Sequence, residues 1–108
     1  MARSTAKIMQ AENWLGQIIE VNSVVYYGAR SGNSSTYKIG KVIRMTKVTD
    51  GDLTWVNTRV EWAWENRYSK RQVNSASTLS VDGCVLVEPN TLNPEIRSAL
   101  DNIGTSVI

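Results

Sequence analysis

Histidine and phenylalanine are absent from these 108 residues, cysteine occurs once and proline twice. Without histidine the chain lacks the commonest general base and the commonest protein ligand for zinc. The one cysteine, Cys84, can neither form an intrachain disulfide nor complete a structural zinc site, and it points to a cytoplasmic setting. It lies in the apolar run Cys84-Val85-Leu86-Val87, where a buried, inert thiol is expected rather than a nucleophile. Apolar patches after Arg3 and Lys7 are short, so neither a signal peptide nor a membrane partner is expected. No Gly-x-Ser-x-Gly occurs, and Arg30-Ser31-Gly32-Asn33 lacks the lysine and hydroxyl residue of a phosphate-cradling loop. Asp50-Gly51-Asp52 sets two acids around a glycine, which reads as a hairpin tip before a calcium site. Glu61 and Glu65 fall with Arg59 on one solvated face, where cross-strand ion pairs explain them better than acid–base catalysis. Neither an enzyme nor a cofactor is expected.

What is present is a single domain's worth of chain, rich in β-branched residues, with four Trp and four Tyr whose polar tips need partners. Val24-Val25-Tyr26-Tyr27, Tyr37 to Val48, and Leu53 to Trp64 read as consecutive antiparallel strands. The second of these could place Ile39, Val42, Ile43 and Thr46 on one helical face. Gly40 and the β-branched residues favour a strand, with a bulge or strong twist near Gly40. Val56, Thr58, Val60, Trp62 and Trp64 alternate with polar residues, which predicts one buried face carrying both tryptophans. Gly28 to Thr36 is small and polar and reads as a long loop, and Arg67 to Gln72 as a polar turn. Strands around 75–81 and 84–88 follow, joined at Asp82-Gly83 by a second hairpin signal.

Residues 4–15 read as a short helix capped by Ser4 or Thr5, with Ile8, Ala11 and Leu15 on one face and Gly16 at its end. Asn22-Ser23 marks a kink before the first long strand. After Pro89, Asn93-Pro94-Glu95 opens a terminal helix with Asn93 as N-cap, an apolar stripe of Ile96, Leu100 and Ile103, and Gly104 as its stop. The expected fold is mainly β: a small barrel or strongly bent antiparallel sheet of about five strands, with short N-terminal and C-terminal helices. It divides into an N-terminal helix at 1–16, a β-barrel at 17–88, and a helix and tail at 89–108, within one domain.

Val24-Val25-Tyr26-Tyr27, the polar loop and Lys38-Ile39-Gly40-Lys41-Val42-Ile43 resemble the first two strands of SH3-like barrels of the KOW and Tudor kind. There, a hydrophobic strand and a variable loop precede a Gly-basic-Val strand. The resemblance covers roughly residues 17–88 and implies the barrel, without placing an aromatic cage or nucleic-acid face. The helix–barrel–helix layout also resembles short proteins encoded by tailed bacteriophages, which implies a location in the host-cell cytoplasm.

Two features suggest binding. From Val21 to Thr49 there is no acidic residue, while Arg30, Lys38, Lys41, Arg44 and Lys47 supply five positive charges. Such a strip could track a phosphate backbone or simply guard a strand edge against aggregation. Trp55, out of phase with Trp62 and Trp64, and Tyr68 beside Arg67, Lys70 and Arg71 could stack on a base or anchor a protein. Net charge is only +2, which argues against nucleic acid as the sole ligand. The preferred reading is a module that docks on a host or phage protein. Nucleic-acid binding by the strip, and self-assembly into a homo-oligomer, are the alternatives.

Overall fold

The computed structural model describes residues 3–31 and 34–103. In chain order it contains β1 (Ser4–Ile8), β2 (Gln10–Glu12), β3 (Ile18–Glu20), β4 (Val24–Ser31), β5 (Ser34–Asp50), β6 (Leu53–Asn66), β7 (Lys70–Ser80), β8 (Val85–Leu86) and α1 (Pro94–Asp101). Single 3-10 turns sit at Val81–Gly83 and Pro89–Thr91.

The scaffold is the hairpin of β5 and β6, which are 17 and 14 residues long. Its turn is Gly51-Asp52, and the positive φ of 63° falls on Gly51. Glycine at the first central position is the type II′ arrangement, whose twist matches that of the paired strands. β6 lies along one edge of β5 from Tyr37 to Asp50. The other edge of β5 is shared: β4 pairs Ser34–Lys41 and β1 pairs Met45–Thr49. The main path runs β7-β6-β5-β4-β8, and β2 and β3 form a separate two-stranded ribbon.

The segments read as strands contain strands, though the one expected at 84–88 keeps only Val85–Leu86, and the chain is mainly antiparallel β. Several expectations need correction, among them the polar turn at Arg67 to Gln72, whose last three residues already belong to β7. The sheet does not close into a barrel: β7 and β8 end the path, and no ladder joins them among the described residues. Residues 4–15 are not a helix. They form β1 and β2, because the long β5 extends past the end of β4 and leaves an open edge that β1 fills, overriding a weak helical pattern. The loop expected at 28–36 is mostly strand, since Gly28↔Tyr37 through Ser31↔Ser34 stay in register, while Gly32 and Asn33 lie outside the described residues. Asp82-Gly83 does not close a hairpin; it belongs to a 3-10 turn that carries the chain from β7 at one edge to β8 beside β4.

The sheet buries both faces. On one side Val25, Val42, Met45, Val60 and Trp62 pack with Ile19 of β3, Val81 and Cys84, and Ile8 and Ala11 border them. On the other side Val24, Ala63, Ala99 and Leu100 form a second cluster with Ile39, Trp64, Val87 and Ile96. The neighbours Val24 and Val25 split between the clusters, as strand alternation requires.

Irregular register sits where Gly40 forecasts it. Ile39 pairs Trp64 and Gly40 pairs Trp62, which leaves Ala63 as an extra residue on β6. A second shift between Val42 and Arg44 leaves Ile43 extra on β5, and it is 39% exposed. A Cβ on Gly40 would overlap the Glu61 carbonyl and sit 2.9 Å from Trp62 Cα, so the backbones approach too closely for any side chain. The bulge at Ala63 also corrects the expected pairing of tryptophans. Trp62 is buried in the first cluster and donates to Ser77 Oγ at 2.8 Å, whereas Trp64 is turned to the second, beneath α1.

α1 follows its sequence cues. Asn93 caps it, its side chain accepting from the Ile96 amide at 2.9 Å, with Pro94 in the first turn. Leu100 is buried and Ile96 and Ile103 pack around it. Gly104, read as the helix stop, lies outside the described residues. No helix among the described residues is long and apolar enough to cross a membrane.

Candidate functional site

The basic strip read along one strand divides on folding. Lys38 Nζ lies 4.0 Å from Glu65 Oε1 and 5.8 Å from the centroid of the Trp62 ring, so a carboxylate and an indole already accompany its charge. Lys41 is half-buried and in register with Glu61. Lys47 is exposed but pairs Val56, which borders the first apolar cluster, so it leaves the line of the others. The backbone of Arg30 is in β4 opposite Ser35, and its side chain lies outside the described residues. Arg44 is exposed, and its register partner is Arg59.

The aromatic candidates also separate. Trp55 and Tyr68 stand near opposite ends of β6, roughly 40 Å apart at strand rise, so they do not form one surface. Trp55 is half-buried, with the Arg3 guanidinium 5.4 Å over its ring, and Arg3 also reaches Asp50 at 3.7 Å. Tyr68 is 82% exposed in the turn after β6, where the Arg67 guanidinium lies 5.4 Å over its ring. Arg71 holds Glu65 through a contact of 2.9 Å.

The strongest surface feature is one that the helical reading of residues 4–15 concealed. Trp14 is 71% exposed and Leu15 is 47% exposed, side by side at the tip of the β2–β3 ribbon. Leu15 is therefore not the core residue its spacing suggested. The tip is locked by Asn13, which is buried. Its Oδ1 accepts the Leu15 amide at 3.0 Å and the Gln17 amide at 2.9 Å, and its Nδ2 donates to the Cys84 carbonyl at 2.8 Å. Gln17 Oε1 accepts from Asn13 Nδ2 at 3.1 Å and from the Leu86 amide at 2.9 Å. Gly16 completes the turn at φ 80°, a conformation open to glycine at little cost. The sequence signal is Asn13 followed three residues later by Gly16, an Asx turn between two short runs.

Cys84 is fully buried, and burial pushes its thiol up to about 11, a rise that the neighbouring Thr58 hydroxyl slightly offsets. Thr58 Oγ1 makes no well-aligned hydrogen bond, so that contact is weak, and the thiol donates to the Ser80 carbonyl at 3.8 Å. A thiol so placed supports packing and offers no nucleophile at neutral pH. On the opposite side of the sheet, a cleft of about 550 Å³ opens between α1 and the strands, with Tyr26, Tyr37, Ile39, Trp64 and Ile96 among its apolar lining and Lys38, Glu65, Lys70 and Glu95 among its charged lining. Tyr26 and Tyr37 stack within it at 6.2 Å.

Against family models, characterised proteins and solved structures, the chain matches none.

Proposed function

We propose that the chain is a non-enzymatic docking module that seats Trp14 and Leu15 in an apolar pocket of a partner protein. The observation that carries this reading is the exposed indole on a turn fixed by a buried asparagine. A rigid aromatic anchor loses little entropy on binding, and tryptophan dominates interface energetics more than any other side chain. Ile18 and Leu86, 44% and 37% exposed, extend the apolar surface, because Gln17 ties the base of the tip to Leu86.

Charge narrows the partner. Glu12 and Glu20 flank the tip, and no basic residue occurs between Ile8 and Ala29. An apolar pocket rimmed by lysine or arginine complements this, and an anionic lipid surface does not. Affinity capture from a bacterial lysate, with nuclease present, is the test. Wild type is expected to retain a defined protein that Trp14→Ala releases; retention of the same protein by both contradicts the reading. A sedimentation mass above one chain that falls to the monomer in Trp14→Ala identifies the partner as a second copy.

A further inference from the structure

α1 covers only half of its face of the sheet. The uncovered half is the part of β5 and β6 between the Ile43 bulge and the Gly51 turn, flanked by β1 and β7. There Arg44, Thr46 and Val48 of β5 line a shallow groove of about 310 Å³ with Arg3 and Thr5, Asn57 and Arg59, and Thr78. The lining holds three arginines, three threonines and one asparagine, and no carboxylate.

The arrangement carries a cost that folding alone does not explain. Arg44 and Arg59 are register partners on adjacent strands, so two positive charges rise from neighbouring positions on one face of the ladder. Like charges directly opposite destabilise a sheet. Arg59 donates through Nη1 to Thr78 Oγ1 at 3.1 Å, a bond that orients the guanidinium without neutralising it. Asp50, at the far end of the groove, is occupied with Arg3 at 3.7 Å. An anion lying between Arg44 and Arg59 removes the repulsion and gains the bidentate bonds that arginine makes to phosphate oxygens.

We infer that this groove binds the phosphate backbone of a single-stranded nucleic acid. Two features select a strand over a lone phosphate. The backbones of Arg3 and Arg44 stand roughly 20 Å apart along β5, a span that successive phosphates of one strand can follow. At the turn end the Arg3 guanidinium lies 5.4 Å over the Trp55 ring, and a base that takes its place there stacks on the indole and turns Arg3 towards a phosphate. The site shares only Arg44 and Trp55 with the strip and aromatics singled out in the sequence. Arg3, Arg59 and Thr78 join it through strand pairing.

The test is fluorescence anisotropy with labelled oligo-dT and oligo-rU at low salt, with polyglutamate as competitor. Wild type is expected to bind, with affinity falling as salt rises by a log–log slope of about −0.7 for each phosphate engaged. Arg44→Gln and Arg59→Gln should each weaken binding roughly tenfold and flatten that slope, while Arg97→Gln on α1 leaves both unchanged. A second readout follows from the repulsion: without oligonucleotide either glutamine variant should melt no lower than wild type, and with oligonucleotide wild type should melt higher. Absence of binding by folded wild type at low salt overturns the inference. So does equal weakening by Arg97→Gln, or displacement of the oligonucleotide by polyglutamate at matched charge concentration.

Discussion

Asn13 Nδ2 donates to the main-chain carbonyl of Cys84 at 2.8 Å, joining residues 71 positions apart. Through this contact the β2–β3 ribbon is bolted to the segment that leads into β8. One buried side chain thereby serves both the packing over the first cluster and the presentation of Trp14. Asn13→Ala leaves the Cys84 carbonyl and the turn amides without their partner, and should cost about 2–3 kcal/mol in a urea melt. A loss under about 0.5 kcal/mol would show that the tip is held by something else.

Gly40→Ala should destabilise by about 1–3 kcal/mol or more, because the added carbon runs into the backbone of Glu61 and Trp62 rather than into a flexible side chain. Gly51→Ala, where the space is open, carries only the penalty of the positive φ, about 1 kcal/mol. Chemical denaturation of the two variants side by side checks the order.

Trp62→Ala should cost about 3–5 kcal/mol, since it empties the centre of the larger cluster and orphans the Ser77 hydroxyl. A loss below about 1 kcal/mol would remove Trp62 from the core.

Cys84 supplies a pH prediction. Its folded pKa, raised from 9.0 to about 11, means that the native state holds the thiol proton more tightly than the unfolded chain does. The contribution is fully present below pH 9 and is lost as pH rises towards 11, at up to about 1.4 kcal/mol per pH unit. Wild type should therefore lose roughly 2–3 kcal/mol more than Cys84→Ala across that interval. Thiol labelling at neutral pH should proceed only as fast as the fold opens.

The fold was largely legible where period and punctuation agree. The Asp50-Gly51-Asp52 turn, the alternation from Val56 to Trp62 and the Asn93-Pro94 helix start all appear as read. The misreadings share a cause, which is that pairing across the sheet is invisible locally. Ser4–Ile8 is a strand because β5 presents an unfilled edge to it, and nothing within those residues says so. Trp64 changes face because of a single extra residue at Ala63. The proposed binding surfaces were less legible still. Arg59 sits in a segment that reads as ordinary alternation, and its meaning arises only when register sets it against Arg44. Trp14 was hidden by a helical spacing that Ile8, Ala11 and Leu15 satisfy by coincidence.

The docking account rests on Trp14, and comparing wild type with Trp14→Ala tests it most directly. With 71% of its surface exposed, truncation should change folding stability by less than about 0.5 kcal/mol. The same change should weaken capture of the partner protein from nuclease-treated bacterial lysate by about 2 kcal/mol or more, roughly thirtyfold in affinity. Equal recovery of the same protein by both chains, with both equally stable, would contradict the claim that this tip is the docking surface.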